Sequence, residues 1–454
     1  MHVGLAIVYD LAHHVTLALT LLGPAFLWLG QTARRLEGSH APLTAVILAG
    51  AVLLRLPLLP LPLTLSDDAL RYVWDGKVAA AGFNPYVLPP DAGTLTFLRD
   101  DAWRQLAHRQ VPTVYPPLSI AAFSIAARLP FPILAWKGLT TAADLLACAL
   151  LLALARRLGV PEGRAAWYAW NPLVALESSG MGHLDSLGVA AVLATLLMLT
   201  PRSAVHSTLP APPGPGQPRV RPRVWEAACC AAAAVLVKLV PAAALPMWAR
   251  QSGRPLRLLA ATAVLVGAAF APVLASTAGP PPGLTRFAVS WDFNGPLFEP
   301  LWRLLDAAGA APALARLLDR CKEWTGWWTL PNPLYPYLYP QMLAKLLLAL
   351  GMAAAVRRSL GERDPVAGTG RLFGTLLLLS PTVYPWYLLW VLPAAALYRW
   401  SAWLALSGLL LLAYLPQHAG APLWPWTYLA IWLPFGLLLL RSSLPARQER
   451  WSSG

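Results

Sequence analysis

The sequence predicts an all-α polytopic membrane protein with about 11–13 spans and amphipathic helices in its first large loop. Three observations carry this. Hydrophobic residues make up 57% of the chain and charged residues only 12%, about half the charge of a soluble domain. Mean hydropathy is +0.53, and the apolar residues come in blocks separated by short basic stretches. Ala and Leu dominate those blocks, without the alternation of an outer-membrane barrel.

The net charge of +14 does not point to a nucleic-acid partner. Arginines sit in small clusters between apolar blocks: Arg34-Arg35, Arg156-Arg157, Arg202 with Arg219, Arg221 and Arg223, Arg250 with Arg254, and Arg357-Arg358. That is the positive-inside pattern, and no basic surface with interleaved aromatics forms. Of the four cysteines, Cys148, Cys229 and Cys230 lie in apolar runs and Cys321 in a long loop, with no disulfide or metal spacing. The N-terminus lacks the features of a cleaved signal peptide.

Taken in order, the first apolar block runs over 13–30 and ends at Arg34-Arg35, and the second runs over 41–58. A first extracytoplasmic loop over 64–130 follows, rich in Pro, Asp and aromatics. Its last part, 116–129, is too short for a comfortable span and reads as an interfacial or re-entrant helix. The block at 131–155 ends at Arg156-Arg157. Three later stretches have basic residues at both ends and a polar break in the middle. The breaks fall at 177–185, at Lys238-Leu239-Val240-Pro241, and at Ser380-Pro381-Thr382-Val383-Tyr384-Pro385. The positive-inside rule makes each stretch an up-and-down pair of short helices, the alternative being one kinked helix. Broken helices with polar tips are tolerated where they line a cavity. A flexible cytoplasmic linker is expected over 201–223, a second extracytoplasmic loop over 277–337, and apolar blocks at 338–355, 401–415 and 424–440. The parity of these elements gives thirteen spans with the N-terminus outside, all in one membrane domain, 1–454.

The sharpest chemical feature is Ser66-Asp67-Asp68-Ala69-Leu70-Arg71-Tyr72-Val73-Trp74-Asp75-Gly76. Ser66 suits a helix N-cap, and acidic residues suit the first turn. Asp67, Arg71 and Asp75 recur at four-residue intervals on one face, so Arg71 is placed to hold both carboxylates. Asp68 points about 100° away from Asp67. Two carboxylates in different surroundings divide roles, one as general base and the other as a structural or metal-binding group. A capped, salt-bridged surface helix is the bland alternative. Arg55, Lys137, Asp144, Lys238, His183 and Asp185 stand near the same face, where charges are costly and suggest function. Snorkelling and a private Lys137–Asp144 pair are the structural alternatives. Carboxylates beside cations suit a hydroxyl that must lose a proton and an anionic leaving group. Tyr72, Trp74, Tyr86 and Tyr115 either stack on sugars or anchor the interface.

These motifs, with Gly82-Phe83-Asn84-Pro85-Tyr86, Thr113-Val114-Tyr115-Pro116-Pro117, Trp170-Asn171-Pro172-Leu173, Gly182-His183-Leu184-Asp185 and Lys238-Leu239-Val240-Pro241, resemble the integral-membrane glycosyltransferases of the GT-C superfamily. The nearest branch is the bacterial polyprenyl-phosphate-mannose-dependent one. The likeness runs in order over about 50–395. It implies a GT-C-like helical bundle in the bacterial cytoplasmic membrane with an extracytoplasmic active site. It implies a polyprenyl-phosphate sugar donor, a glycan, lipid or protein hydroxyl acceptor, and inverting transfer of a mannose-like hexose. An acidic residue of the first loop is then the base. Asp67 is the first choice and Asp68 the second. Arg55, Arg71 and Lys238 are candidates for the donor phosphate. Tyr72, Asp75, Tyr115, His183, Asp185 and Tyr384 are candidate substrate contacts. No cofactor is required by these motifs, although Asp67 and Asp68 leave room for a divalent metal. The rival functions are a transporter or flippase of a lipid-linked sugar and a non-catalytic scaffold.

Overall fold

The computed structural model describes residues 15–38, 43–200, 223–329 and 332–443, so most of the linker expected at 201–223 lies outside the described residues. The chain is all-α. Among the described residues four helices are long and apolar enough to cross a membrane unbroken, or five if one bent pair counts as a span. The other apolar blocks are shorter or interrupted, so unbroken helices alone do not give the expected span count.

The helices that matter here are α1 (Val15–Glu37), α2 (Thr44–Arg55), α3 (Asp68–Ala80), α4 (Pro117–Ala127), α5 (Pro132–Leu158), α6 (Asp185–Leu199), α7 (Val224–Val237), α8 (Pro255–Thr277), α9 (Pro282–Ser290), α10 (Phe298–Ala307), α11 (Ala310–Thr325), α12 (Pro340–Ser359), α13 (Pro365–Leu379) and α14 (Leu392–Tyr398). The ends follow local chemistry. Proline opens α5, and Gly159 closes it at φ +66°, one residue after a basic last turn at Arg156-Arg157. The segment 116–129, expected to be a short interfacial or re-entrant helix, forms α4. It packs on α3, where Gly76 faces the Phe123 carbonyl so closely that any side chain would collide with it.

All three polar breaks exist. In the first, a π-helical turn at Leu176–Gly180 runs into Gly182 at φ +71°, and the helices on either side are bent by 117°. The second break begins where Lys238 takes an extended conformation after α7. The third begins at Ser380, extended after α13, and leads into a 3-10 turn at Pro385–Trp390. Prolines at 241, 381 and 385 deny the amide donors that a continuous helix needs.

The segment expected as a second large loop is mostly helical, as α9, α10 and α11. Its Trp291–Gly295 portion is joined to the third break. Phe293 N–H donates to the Pro381 carbonyl (3.1 Å), Val383 N–H donates to the Phe293 carbonyl (2.7 Å), and Thr382 Oγ1 donates to the Trp291 carbonyl (3.1 Å).

Among the described residues the main core holds the ion pair of Arg55 and Asp144. Arg55 and Asp144 are both inaccessible, with Nε and Oδ2 2.5 Å apart. Arg55 also donates to the Ala51 and Ala169 carbonyls. Asp144 accepts from Tyr168 Oη and Ser178 Oγ, each at 2.9 Å. The Lys137–Asp144 pair considered as a structural alternative does not form. Lys137 instead donates to the Leu58 and Leu61 carbonyls.

Candidate functional site

A cavity of about 1180 Å³ lies between α3, the second and third breaks, α9 and α12. Asp67, Asp68, Arg71, Tyr72, Tyr115, Lys238 and Tyr384 line it. These residues come from three sequence regions singled out by their polarity. Much of the remaining lining is aliphatic, with Leu346, Ala349, Met352 and Val356 of α12, beside Lys345, and Leu376 and Leu377 of α13.

The acidic motif is arranged differently from its expected form. Asp67, not Ser66, occupies the N-cap position of α3, and its side chain makes no hydrogen bond to the helix. Ser66 Oγ still accepts from the Asp68 N–H at 3.3 Å. Because Asp67 precedes the helix, it falls out of the i, i+4 register, and Arg71 does not hold both acids. Arg71 pairs with Asp75 (2.9 Å) and donates to the Val111 carbonyl. Asp67 Oδ2 accepts from the Ala107 N–H at 3.1 Å, which ties the acidic turn to the far end of the first loop.

Asp68 sits deeper. Its Oδ2 accepts from Tyr72 Oη at 3.3 Å and lies 3.6 Å from His183 Nδ1. Its side chain keeps 33% exposure, and that exposure is into the cavity. Burial, then the neighbouring Asp67 charge, pushes the Asp68 carboxyl up to about 7, while Lys238 pulls the other way. Burial, then the Asp68 charge, raises Tyr72 and Tyr115 well above the usual phenol value, so both stay hydrogen-bond donors. Burial also raises Asp75, against the pull of Arg71.

The breaks converge on this floor. Lys238 Nζ is 2.6 Å from Asp185 Oδ1 and 4.3 Å from the centre of the Tyr387 ring. Trp390 donates to the same Asp185 oxygen. His183 stacks on Trp386 with ring centres 3.7 Å apart, and Trp386 stacks on Tyr384 at 4.6 Å. Phe293 stacks on the other face of Tyr384 at 4.8 Å, so the four rings form one stack whose Trp386 and Tyr384 members line the cavity beside the carboxylates.

Not every expected site residue reaches the cavity. Arg55 is sealed in the core against Asp144, which removes it from the set of groups able to meet a donor phosphate. Asp75, His183 and Asp185 are buried and stand behind the lining, in contact with Arg71, Asp68 and Lys238. Sequence reasoning missed Lys345, His108, His418, Trp386 and Trp390, all of which line the cavity. Lys345 interrupts an apolar block, and that cost was a usable signal. His108, whose ring meets Trp291 at 4.6 Å, left none. Glu177, within the first break, also went unassigned. It is buried and accepts from Tyr414 Oη at 2.8 Å. Among the described residues no group of three or more His, Cys, Asp or Glu side chains is arranged to hold a metal ion.

Residues 6–253 of the 454 match the family model described as "Alpha-(1->6)-mannopyranosyltransferase, N-terminal domain", and residues 339–442 match the "MptB C-terminal domain". The first match includes the acidic motif and the first two breaks, and the second includes the third break. No curated protein and no solved structure matches the chain.

Proposed function

The chain belongs to the alpha-(1->6)-mannopyranosyltransferase family, and we propose that it moves mannose from a polyprenyl-phosphate donor to a glycan, lipid or protein hydroxyl at the extracytoplasmic face of a bacterial cytoplasmic membrane. The observation that carries this reading is the composition of one cavity. It has two adjacent carboxylates and a lysine at its floor and an aliphatic wall on α12 and α13. A lipid phosphate has the same polarity, with an anionic head and an apolar tail.

In this reading Asp67 is the general base. The Ala107 N–H holds one oxygen, the other has no hydrogen-bond partner among the described residues, and the residue lines the cavity. An oriented carboxylate with a free lone pair can take the acceptor proton as the hydroxyl attacks the anomeric carbon. Lys238, with Arg71 beyond it, offsets the charge gathering on the departing phosphate. The new bond forms opposite the leaving group, so the anomeric configuration inverts. An alpha-(1->6) product then requires a β-linked donor. Arg34-Arg35, Arg156-Arg157 and Arg357-Arg358 end α1, α5 and α12, and the positive-inside rule supports a cytoplasmic place for those ends.

The test is a donor panel. Purified protein is incubated with polyprenyl-phosphate sugars and hydroxyl acceptors, and released polyprenyl phosphate is measured. Release with the mannose donor, dependent on acceptor, is expected. No release with any donor, together with transbilayer movement of the intact lipid, would instead mark a flippase.

A further inference from the structure

Behind Asp68 lies a chain of buried polar groups. His183 is inaccessible, with Nδ1 3.6 Å from Asp68 Oδ2 and Nε2 3.3 Å from Glu177 Oε2. The other Glu177 oxygen accepts from Tyr414 Oη. Neither imidazole nitrogen, nor Glu177 Oε2, has a hydrogen bond of good geometry. A buried imidazole left unsatisfied between two carboxyl groups calls for an explanation. Its ring plane is fixed by the stack on Trp386, and the backbone N–H of His183 donates to the Glu177 carbonyl at 2.8 Å. The ring is therefore held between the two acids, with one nitrogen near each, and a small rotation of the side chains brings N–H and carboxylate into line.

We propose that His183 and Glu177 are positioning residues that exchange a proton with Asp68 and so set the charge of the cavity floor when an anionic donor binds. In one form Glu177 carries a proton toward Nε2, and Nδ1–H donates to ionised Asp68. In the other, Asp68 carries the proton toward Nδ1, and Nε2–H donates to ionised Glu177. Conversion moves one proton from Glu177 Oε2 to Nε2 and another from Nδ1 to Asp68 Oδ2. The three residues keep the same number of protons and the same net charge. Only the position of the negative charge changes, from the cavity floor to the buried side.

This solves an electrostatic difficulty in the proposed function, on which the inference rests. A lipid phosphate approaching two ionised aspartates is repelled, and like charges in a buried site do not stay ionised together. Shifting the charge from Asp68 to Glu177 admits the phosphate while Asp67 stays available as base. Other charged and titratable groups surround the chain. Asp67, Tyr72, Asp185 and Lys238 act on Asp68, and Tyr384 and Tyr387 come from the third break. Lys137 passes beside Gly182 but spends its donors on backbone carbonyls. None of these lies between the two acids as His183 does.

Nitrogen-15 NMR of histidine-labelled protein reads the two forms directly, because a protonated ring nitrogen resonates apart from a bare one. Loss of a signal in His183→Gln identifies the residue among the 8 histidines. Above the pH of about 7 at which Asp68 loses its proton, the ring proton is expected on Nδ1 in the free protein and on Nε2 after addition of a short-chain polyprenyl phosphate. Glu177→Gln should lock one form and move the pH limb of kcat/KM by about one unit, and Glu177→Asp should restore it. A merely structural role would lower stability without moving either readout. The same tautomer with and without the lipid phosphate, and an unmoved limb in Glu177→Gln, would overturn the proposal. If the wild type transfers no sugar, the donor reading fails separately, and the effect of Glu177→Gln on the tautomer of the free protein still decides the exchange.

Discussion

Two buried clusters of charge occupy this apolar chain, and they differ in completeness. Around Arg55 and Asp144 the described hydrogen-bonding groups have partners: two backbone carbonyls for the arginine, and a phenol and a hydroxyl for the acid. Around Asp68, His183, Glu177 and Asp185, buried polar atoms are left without partners. Both clusters cost desolvation. A satisfied cluster closed off from any cavity holds the fold in one arrangement. An unsatisfied one beside a large cavity holds capacity for a ligand or a proton. The contrast separates a structural ion pair from a working one, which residue type alone cannot do.

The sharpest way to break the comparison is Asp67→Asn. Transfer should fall about 10²–10⁴-fold, the usual share of general acid–base catalysis, with unchanged thermal unfolding in detergent. Full activity would remove Asp67 as base and leave Asp68. Arg55→Met tests the other cluster. It leaves Asp144 buried without its countercharge and should cost about 3–5 kcal/mol of stability. The double change Arg55→Met with Asp144→Leu should recover much of that loss in a denaturation assay. Equal destabilisation in single and double variants would mean that the pair does not act as a unit.

Lys238→Met should lower kcat/KM for the lipid donor by roughly 10²-fold, since it removes one preorganised charge from the leaving group. Lys238→Arg should retain more activity, and equal loss in both would point to disturbed packing around Asp185 instead. The smallest effect is expected from pH. Asp68 keeps its proton up to about 7, whereas an ordinary carboxyl is ionised well below that. Donor capture needs the protonated form in the proposed mechanism, so kcat/KM should decline as pH rises through about 7. Asp68→Asn should abolish that limb. A limb of opposite sign would assign Asp68 the role of ionised base.

How much of this was legible in the sequence depended on the range of the physics involved. The break positions follow from proline, glycine and polar residues acting within a few positions of themselves, and each appears where the chain announces it. The acidic motif and Lys238 were also found, because an ionisable group in an apolar chain stands out alone. Partners were not legible. Arg55 meets Asp144 across 89 positions, and the tidy four-residue ladder through Arg71 gave no hint of it. The ladder itself failed at its first rung, because Asp67 terminates α3 and a capping residue does not share the helical face. His183 was expected at the cavity wall. It lies one layer behind, a distinction set by the stack on Trp386 and by the 117° bend, both products of tertiary packing.

The attachment of Trp291–Gly295 to the third break has a mechanical meaning. Three hydrogen bonds join Trp291 and Phe293 to Pro381, Thr382 and Val383 across that seam, each contributing about 0.5–1.5 kcal/mol net. Asn294 adds an outer anchor by accepting from the Trp432 indole at 2.9 Å. Lifting this segment by itself means breaking the whole seam, whereas moving it together with the end of α13 breaks none of it. The Trp291–Gly295 segment is thus coupled to the ring stack at Tyr384, and a substrate that displaces one drags on the other.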